Sequence, residues 1–224
     1  FLHKPFNHVL LPELSQRLAE DKPVADVLQK FYRYISILVI PVGIGAWIIG
    51  PDLIAYVFGA EYVLSRPVIG LLVTAIAVRT INKPAGFFFI ATENSRFETY
   101  AIGIRTVIRF ALLFAGALTH SLTLVAMGYL LEHVVSLGFS IWFQRKYVTF
   151  SWPDATSVSK FIVANGAMVA VVLSISSRIS GFITTLTLVF LGGIVYFASL
   201  YATGFLTRSD KKMVTVFALP TERF

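Results

Sequence analysis

The sequence predicts an all-α membrane protein, a polytopic bundle of about six transmembrane helices. Hydrophobic residues make up 56% of the 224 residues, charged residues only 14%, and the mean hydropathy is +0.76. An ordinary soluble domain carries about 25% charged residues. Apolar runs recur along the chain, and about 20 such residues cross a bilayer core of about 30 Å. This composition excludes a disordered chain, a nucleic-acid-binding domain and a typical soluble enzyme.

Residues 1–33 form an amphipathic segment that leads into the first apolar run. Apolar residues recur among charged ones, and the polar stretch Asp21-Lys22-Pro23 interrupts the pattern. We expect the end of a helix, a break at this stretch, and then an interfacial helix on the cytoplasmic side. The chain begins at Phe1 rather than Met. It is therefore expected to be the C-terminal part of a longer protein.

Six hydrophobic segments follow within residues 34–206. Their predicted bounds are roughly Tyr34–Phe58, Arg66–Ala91, Tyr100–Leu118, Ser121–Phe143, Phe161–Ser177 and Ile179–Leu206. The third and fifth segments are short for a span of about 20 residues and need neighbours to complete them. We expect one six-helix bundle over residues 34–206, followed by a basic cytoplasmic tail at 207–224.

Loop charges predict how the bundle is oriented. With six spans, thirteen Lys and Arg residues lie on one side of the membrane and two on the other. Cytoplasmic loops carry the excess of Lys and Arg. The sequence therefore predicts a multi-pass protein of the cell membrane with both ends of this chain in the cytoplasm.

Charged residues inside the apolar segments are the candidate functional residues. Arg79 and Lys83 lie in the second segment, Arg105 and Arg109 in the third, and Glu132 near the middle of the fourth. Each pair of cations is spaced i,i+4 and so shares one helix face. Arg79, Arg109 and Glu132 fall at similar depths. Because a charge at mid-membrane costs about 2.5–3.5 kcal/mol on insertion scales, these side chains should face a bundle interior or an aqueous cavity.

Two interpretations of these charges remain open. In one, Glu132 pairs with Arg109 or Arg79, and the long stems of Lys83 and Arg105 carry their charges to the headgroups. In the other, the four cations outnumber the one carboxylate by three. That surplus would line a water-filled cavity and bind an anionic substrate such as a phosphate headgroup.

Other chemical signals are weak. The chain has no cysteine, which excludes disulfides and thiolate chemistry. The four histidines lack metal-ligand spacing, and no nucleotide-binding or nucleophile motif occurs. We therefore expect no metal, no cofactor and no enzymatic activity. The run Phe87-Phe88-Phe89 is expected at the membrane interface or against lipid.

Short motifs occur in a characteristic order over nearly the whole chain. They are Leu11-Pro12-Glu13-Leu14-Ser15, Ile40-Pro41-Val42-Gly43-Ile44-Gly45, Phe58-Gly59-Ala60-Glu61-Tyr62, Arg79 through Asn82 followed by Phe89-Ile90-Ala91, the tight turn at Thr119–Ser121, and Gln144-Arg145-Lys146. In this order they resemble the polysaccharide-transporter family of lipid-linked oligosaccharide flippases. That family belongs to the multidrug/oligosaccharidyl-lipid/polysaccharide exporter superfamily, and the chain resembles the C-terminal lobe of such a two-lobe flippase.

The resemblance implies a transporter that flips a polyprenyl-pyrophosphate sugar across the membrane by alternating access. Its partners would be the anionic lipid-linked glycan, membrane lipids and the N-terminal lobe of the same protein, without nucleic acid. Arg79, Lys83, Arg105 and Arg109 are the candidate cavity lining, with Glu132 as their charge partner. These five come from the charge argument and not from a family motif.

Three alternatives stay open at the level of sequence. One is a multidrug–cation antiporter of the same superfamily, which would be expected to carry acidic residues in its cavity. Another is a non-catalytic membrane subunit. The third is a membrane enzyme acting on a polyprenyl phosphate, which needs acidic residues clustered at one membrane face. The available acids, Asp52, Glu61, Glu93 and Glu98, are isolated or lie on opposite predicted sides.

Overall fold

The computed structural model describes residues 4–59, 66–151, 153–176 and 181–205. Within these ranges the chain is helical and contains no strand. The helices are α1 Lys4–Ala19, α2 Ala25–Phe58, α3 Arg66–Ile81, α4 Lys83–Ala91, α5 Ser95–Leu118, α6 Leu122–Gln144, α7 Ala155–Ser176 and α8 Phe182–Ala202. Six stretches of the described chain are long and apolar enough to span a membrane, with α3 and α4 together forming one of them. The predicted all-α multi-pass fold is confirmed, and the predicted tail at 207–224 lies outside the described residues.

The predicted break at Asp21-Lys22-Pro23 separates α1 from α2. Asp21 adopts a positive φ of 50°, which ends the first helix. Across the break, the guanidinium of Arg17 donates hydrogen bonds to Glu13 at 2.8 Å and to Asp26 at 2.9 Å. This one side chain therefore ties the end of α1 to the start of α2.

Helix α2 joins the interfacial segment and the first span in one continuous helix of 34 residues. At about 1.5 Å per residue it is about 50 Å long, well beyond the hydrocarbon core. Pro41 and Pro51 lie inside the helix without ending it. Helix α2 is therefore longer than a bilayer core is thick, and the interfacial position of its N-terminal part stays a prediction.

The second span is broken in its middle, which the hydrophobic pattern does not show. Helix α3 ends at Ile81 and α4 begins at Lys83, with Asn82 between them. Pro84 has no N–H to donate to the carbonyl of Thr80, and its ring crowds that carbonyl. The break therefore follows from the proline, and it places Asn82 and Lys83 at mid-span.

The prediction that the third and fifth segments are short was wrong. Helix α5 has 24 residues and α7 has 22. Each helix starts five or six residues before its apolar run, at Ser95 and Ala155. The polar first turns of α5 and α7 were not predicted to be helical, because hydrophobicity identifies only the apolar part of a helix.

Helix α6 is the centre of the unit formed by residues 1–151, because both α3 and α5 pack along it. Helix α5 runs antiparallel to α6, since Phe97 lies against Phe143 and Arg109 binds Glu132. Gly128 of α6 approaches α5 so closely that an added methyl group would lie 2.5 Å from Leu112 Cβ. The missing side chain at this glycine allows the two helices to meet.

One end of this unit is closed by a hydrophobic cluster from α1, α2, α4 and α6. Phe88 and Phe89 of α4 are fully buried in it, so the expectation that they face lipid was wrong, whereas a place near the membrane interface stays a prediction. Other buried members include Leu10, Leu14, Leu28, Phe31, Phe143 and Val148. The cluster forms because α1 packs across α4 and covers the phenylalanines.

Helices α7 and α8 form a second compact unit. Gly192 of α8 faces Val172 and Met168 of α7, where an added methyl group would lie 3.0 Å from the valine. Small residues allow membrane helices to approach closely in this way.

Gly128→Ala tests the close contact of α5 with α6. The new methyl group meets Leu112 Cβ rather than the end of a flexible chain, so the helices have to separate. We expect a loss of about 1–3 kcal/mol, as for other overpacked cores, measured as a lower Tm in detergent.

Gly138→Ala is the matched control on the same helix. Nothing lies within 4 Å of an added methyl group there. Because alanine favours helix more than glycine, this variant should be as stable as the parent or more so. Equal stabilities of the two variants would contradict the proposed role of Gly128.

Candidate functional site

Arg109 and Glu132 form a two-pronged ion pair between α5 and α6. Arg109 Nε donates to Glu132 Oε2 at 2.8 Å, and Nη2 donates to Oε1. The Glu132 side chain is 0% exposed, whereas that of Arg109 is 49% exposed. Such paired N–H···O bonds are the strongest geometry available to a carboxylate. One of the two pairings predicted for Glu132 is therefore present.

Tyr129 brings a second guanidinium to this pair. It lies three residues before Glu132 on α6, and its hydroxyl is 3.4 Å from Arg79 Nη1 of α3. The Arg109 guanidinium carbon lies 5.6 Å from the centre of the Tyr129 ring. Arg79, Arg109 and Glu132, predicted to lie at similar depths, thus meet around one tyrosine. The sequence argument missed Tyr129, although its i,i+3 spacing from Glu132 places it on the same face.

His133 completes the buried side of the cluster. Its ring packs edge-on against Tyr129, with the ring centres 4.8 Å apart, and its Nε2 lies 3.4 Å from Glu132 Oε1. Arg79, Arg105 and Arg109 lie within electrostatic range of this ring. Cations from α3 and α5 therefore surround one buried acid–imidazole pair on α6.

The predicted surplus of three positive charges has to be corrected. Helix α5 begins at Ser95, so Glu98 lies in its first turn. Arg105 follows seven residues later, on the same side of the helix. Arg105 Nη2 donates to Glu98 Oε1 at 3.0 Å, and its Nε donates to the carbonyl of Ala101. Two carboxylates therefore face the four cations, and the surplus is two.

Arg79 and Lys83 are the cations that make up this surplus. Lys83 is the first residue of α4, just after the break in the second span. No carboxylate of the described residues pairs with either side chain. At the break itself, Asn82 Nδ2 donates to Ser136 Oγ of α6 at 3.1 Å. The broken helix thus carries two cations without carboxylate partners among the described residues, within the apolar stretch Pro67–Ala91.

The arrangement has the chemistry of an anion site. A guanidinium offers N–H donors in a planar fork that matches the oxygen atoms of a phosphate, and an ammonium adds a point charge. In the described part of the chain, no group of three or more acidic, histidine or cysteine residues could hold a metal ion.

Comparison with known proteins gives one match. Residues 1–67 match the model of a family described as polysaccharide biosynthesis protein. No curated protein and no solved structure matches the chain. The matched segment covers α1 and α2, which contain the first two motifs of the resemblance noted in the sequence.

Arg109→Gln tests whether the ion pair supports the fold. The substitution leaves the fully buried Glu132 without its counter-charge, and we expect the variant to lose about 3 kcal/mol. Arg105→Gln is the control, because both members of its pair are partly exposed and the loss should be at most about 1 kcal/mol. Thermal unfolding in detergent measures both.

Adding Glu132→Gln to Arg109→Gln should recover part of the lost stability, since it removes the unpaired buried charge. A double variant less stable than Arg109→Gln would contradict this account. Equal losses in the Arg109 and Arg105 variants would do the same.

Proposed function

We propose that this chain takes part in moving a lipid-linked oligosaccharide across the membrane, because residues 1–67 match the model of a family described as polysaccharide biosynthesis protein. In this proposal it is a transporter and not an enzyme. Arg79 and Arg109, which meet at Tyr129, bind the phosphate of the substrate together with Lys83 of the broken span, while the lipid tail stays in the bilayer.

One observation carries the proposal: two guanidinium groups meet at one exposed place in the middle of apolar helices. Arg79 is exposed on α3, and half of the Arg109 side chain is exposed on α5. Facing hydrocarbon, such groups cost several kcal/mol each. A water-filled cavity over this face removes that cost, and a cavity lined by cations attracts anions.

The chemistry of the cluster favours a phosphate or pyrophosphate over a neutral sugar. Arg79 and Lys83 lack carboxylate partners among the described residues, so each can bind an anionic group of the substrate. Arg109 binds Glu132 on its buried side, and about half of its side chain remains exposed. The neutral sugars of the substrate would form hydrogen bonds with water in the cavity and would not need a charged partner.

The proposal includes a second helical lobe facing this site, as in the flippases that the sequence resembles. The substrate would pass between the two lobes, and the site would open to each side of the cell membrane in turn. In the same proposal both ends of this chain lie in the cytoplasm, because the Lys and Arg bias of the loops favours that orientation.

Arg79→Gln in the full-length protein should abolish most glycan export. Losing a charged hydrogen bond of about 1.5–3 kcal/mol corresponds to a decrease of about tenfold or more. Arg79→Lys should retain intermediate activity, because it keeps the charge and loses the planar fork. Surface glycan, and the lipid-linked precursor that accumulates, are measured in cells that depend on this protein.

Arg96→Gln is the control, because Arg96 is an exposed cation at the start of α5 and outside the cluster. It should export normally. Protein levels in the membrane must be equal for all variants. Normal export by Arg79→Gln at a normal protein level would remove the cationic cluster from the mechanism.

The orientation is tested with a reporter enzyme that is active only outside the cytoplasm. Fused after His120, in the turn between α5 and α6, the reporter should be active. Fused after Phe150, beyond the basic end of α6, it should be inactive because Arg145 and Lys146 mark a cytoplasmic loop. The reverse pattern would overturn the proposed orientation.

A further inference from the structure

A row of polar side chains runs along the buried face of α6 from the ion pair to the end of the helix. Its members are spaced four residues apart, so they lie one above another on the same face. All are buried, and they are Glu132, Ser136, Ser140 and Gln144. The exposed positions between them include Leu131, Val134, Val135 and Trp142, which are apolar. Polar residues on this helix therefore point inward and apolar ones outward.

Several polar atoms along this row have no hydrogen-bond partner among the described residues. They are Ser140 Oγ, Gln144 Nε2 and, from the α3–α4 break beside Ser136, Asn82 Oδ1. Ser140 is 1% exposed and Gln144 is 0% exposed. Other hydroxyls in these spans avoid this state: those of Thr106 and Thr187 donate to the carbonyl four residues earlier in their own helices. The hydroxyl of Ser140 makes no such bond.

The packing around the row explains why its members do not bond to one another. Side chains four residues apart are separated by about 6 Å along the helix, too far for a hydrogen bond between short hydroxyl groups. The antiparallel register, fixed by Arg109 with Glu132 and by Phe97 with Phe143, places Ala101 of α5 opposite Ser140. Alanine is small and has no polar side-chain atom. Ala101 therefore offers Ser140 no side-chain hydrogen-bond partner.

The two ends of the row differ. Beyond Glu132 the helices close, because Gly128 lies directly against Leu112. At the other end, Gln144 Oε1 accepts a hydrogen bond of 3.0 Å from the hydroxyl of Tyr32, a polar contact between α2 and α6. The basic residues Arg145 and Lys146 follow directly on α6. One end of the row therefore meets a close contact between helices, and the other end meets a hydrogen bond between two side chains.

We propose that this row is a hydrated seam, in which water molecules bind between α6 and the helices α3 to α5, and through which small cations reach Glu132 from the end of α6 that carries Arg145. Buried water typically makes two to four hydrogen bonds to polar groups that are otherwise unsatisfied, and Ser140, Gln144 and Asn82 supply such groups. The seam lies on the inner face of α6 and does not depend on the proposed transport of a glycan.

Silver-ion accessibility tests the seam in the full-length protein in membrane vesicles. Ag⁺ is small, travels through narrow aqueous paths and blocks thiols. This chain has no cysteine of its own, so Ser140→Cys introduces a thiol without background from these 224 residues. Val135→Cys is the control, at an exposed apolar position of the same helix directly before Ser136.

We expect the thiol of the Ser140→Cys variant to be blocked more than about tenfold faster than that of the Val135→Cys variant, because an ion enters water far more readily than hydrocarbon. The reaction should occur when Ag⁺ is added on the side of Arg145. The thiols that remain are counted with a maleimide after denaturation. A third variant, His120→Cys, carries its thiol in the exposed turn between α5 and α6, on the opposite proposed side of the membrane, and verifies that Ag⁺ added on that side is active.

Ser136→Cys is the second seam variant if Ser140→Cys fails to accumulate, and the same ratio to the Val135→Cys control is expected. Reaction at neither seam position faster than in that control, from either side of the membrane, would overturn the proposal. In that case the row would be a dry polar contact between helices.

Discussion

The ion pair between Arg109 and Glu132 is the interaction on which the rest of this structure depends. A fully buried carboxylate in an apolar helix is tolerable only beside a counter-charge that also satisfies its lone pairs. The pairing of Glu132 with Arg109 therefore fixes the position of α5 along the axis of α6. The same register brings Gly128 against Leu112 and Phe97 against Phe143, so electrostatics and packing select one arrangement.

The pair also decides which cations are available to a ligand. Glu132 holds Arg109 from the buried side and leaves half of its side chain exposed, while Glu98 occupies Arg105. Arg79 reaches the same place through the hydroxyl of Tyr129, and Lys83 follows at the break that Pro84 causes. The broken span thus places charges without carboxylate partners among the described residues inside an apolar stretch, and Asn82 at the break donates a hydrogen bond to Ser136 of α6.

Much of the fold follows from local properties of the sequence. Hydrophobic runs are visible residue by residue, so all six spans and the break at Pro23 were predicted, and the depth of each charge follows from its position within its run. That reasoning selected Arg109 and Glu132 before any contact was known. It failed for Glu98, because a polar first turn extends α5 beyond the apolar run. It also failed for Phe88 and Phe89, because α1 covers them.

The sequence by itself therefore determined a multi-pass helical protein with cations inside its apolar spans, since hydropathy and charge are properties of single residues and their neighbours in the chain. Only the tertiary structure decided that Glu98 neutralises Arg105, that Tyr129 joins two guanidinium groups, and that the polar row of α6 faces inward. These outcomes depend on the rotation and register of one helix against another. Contacts between residues far apart in the chain set both, and no local pattern encodes them.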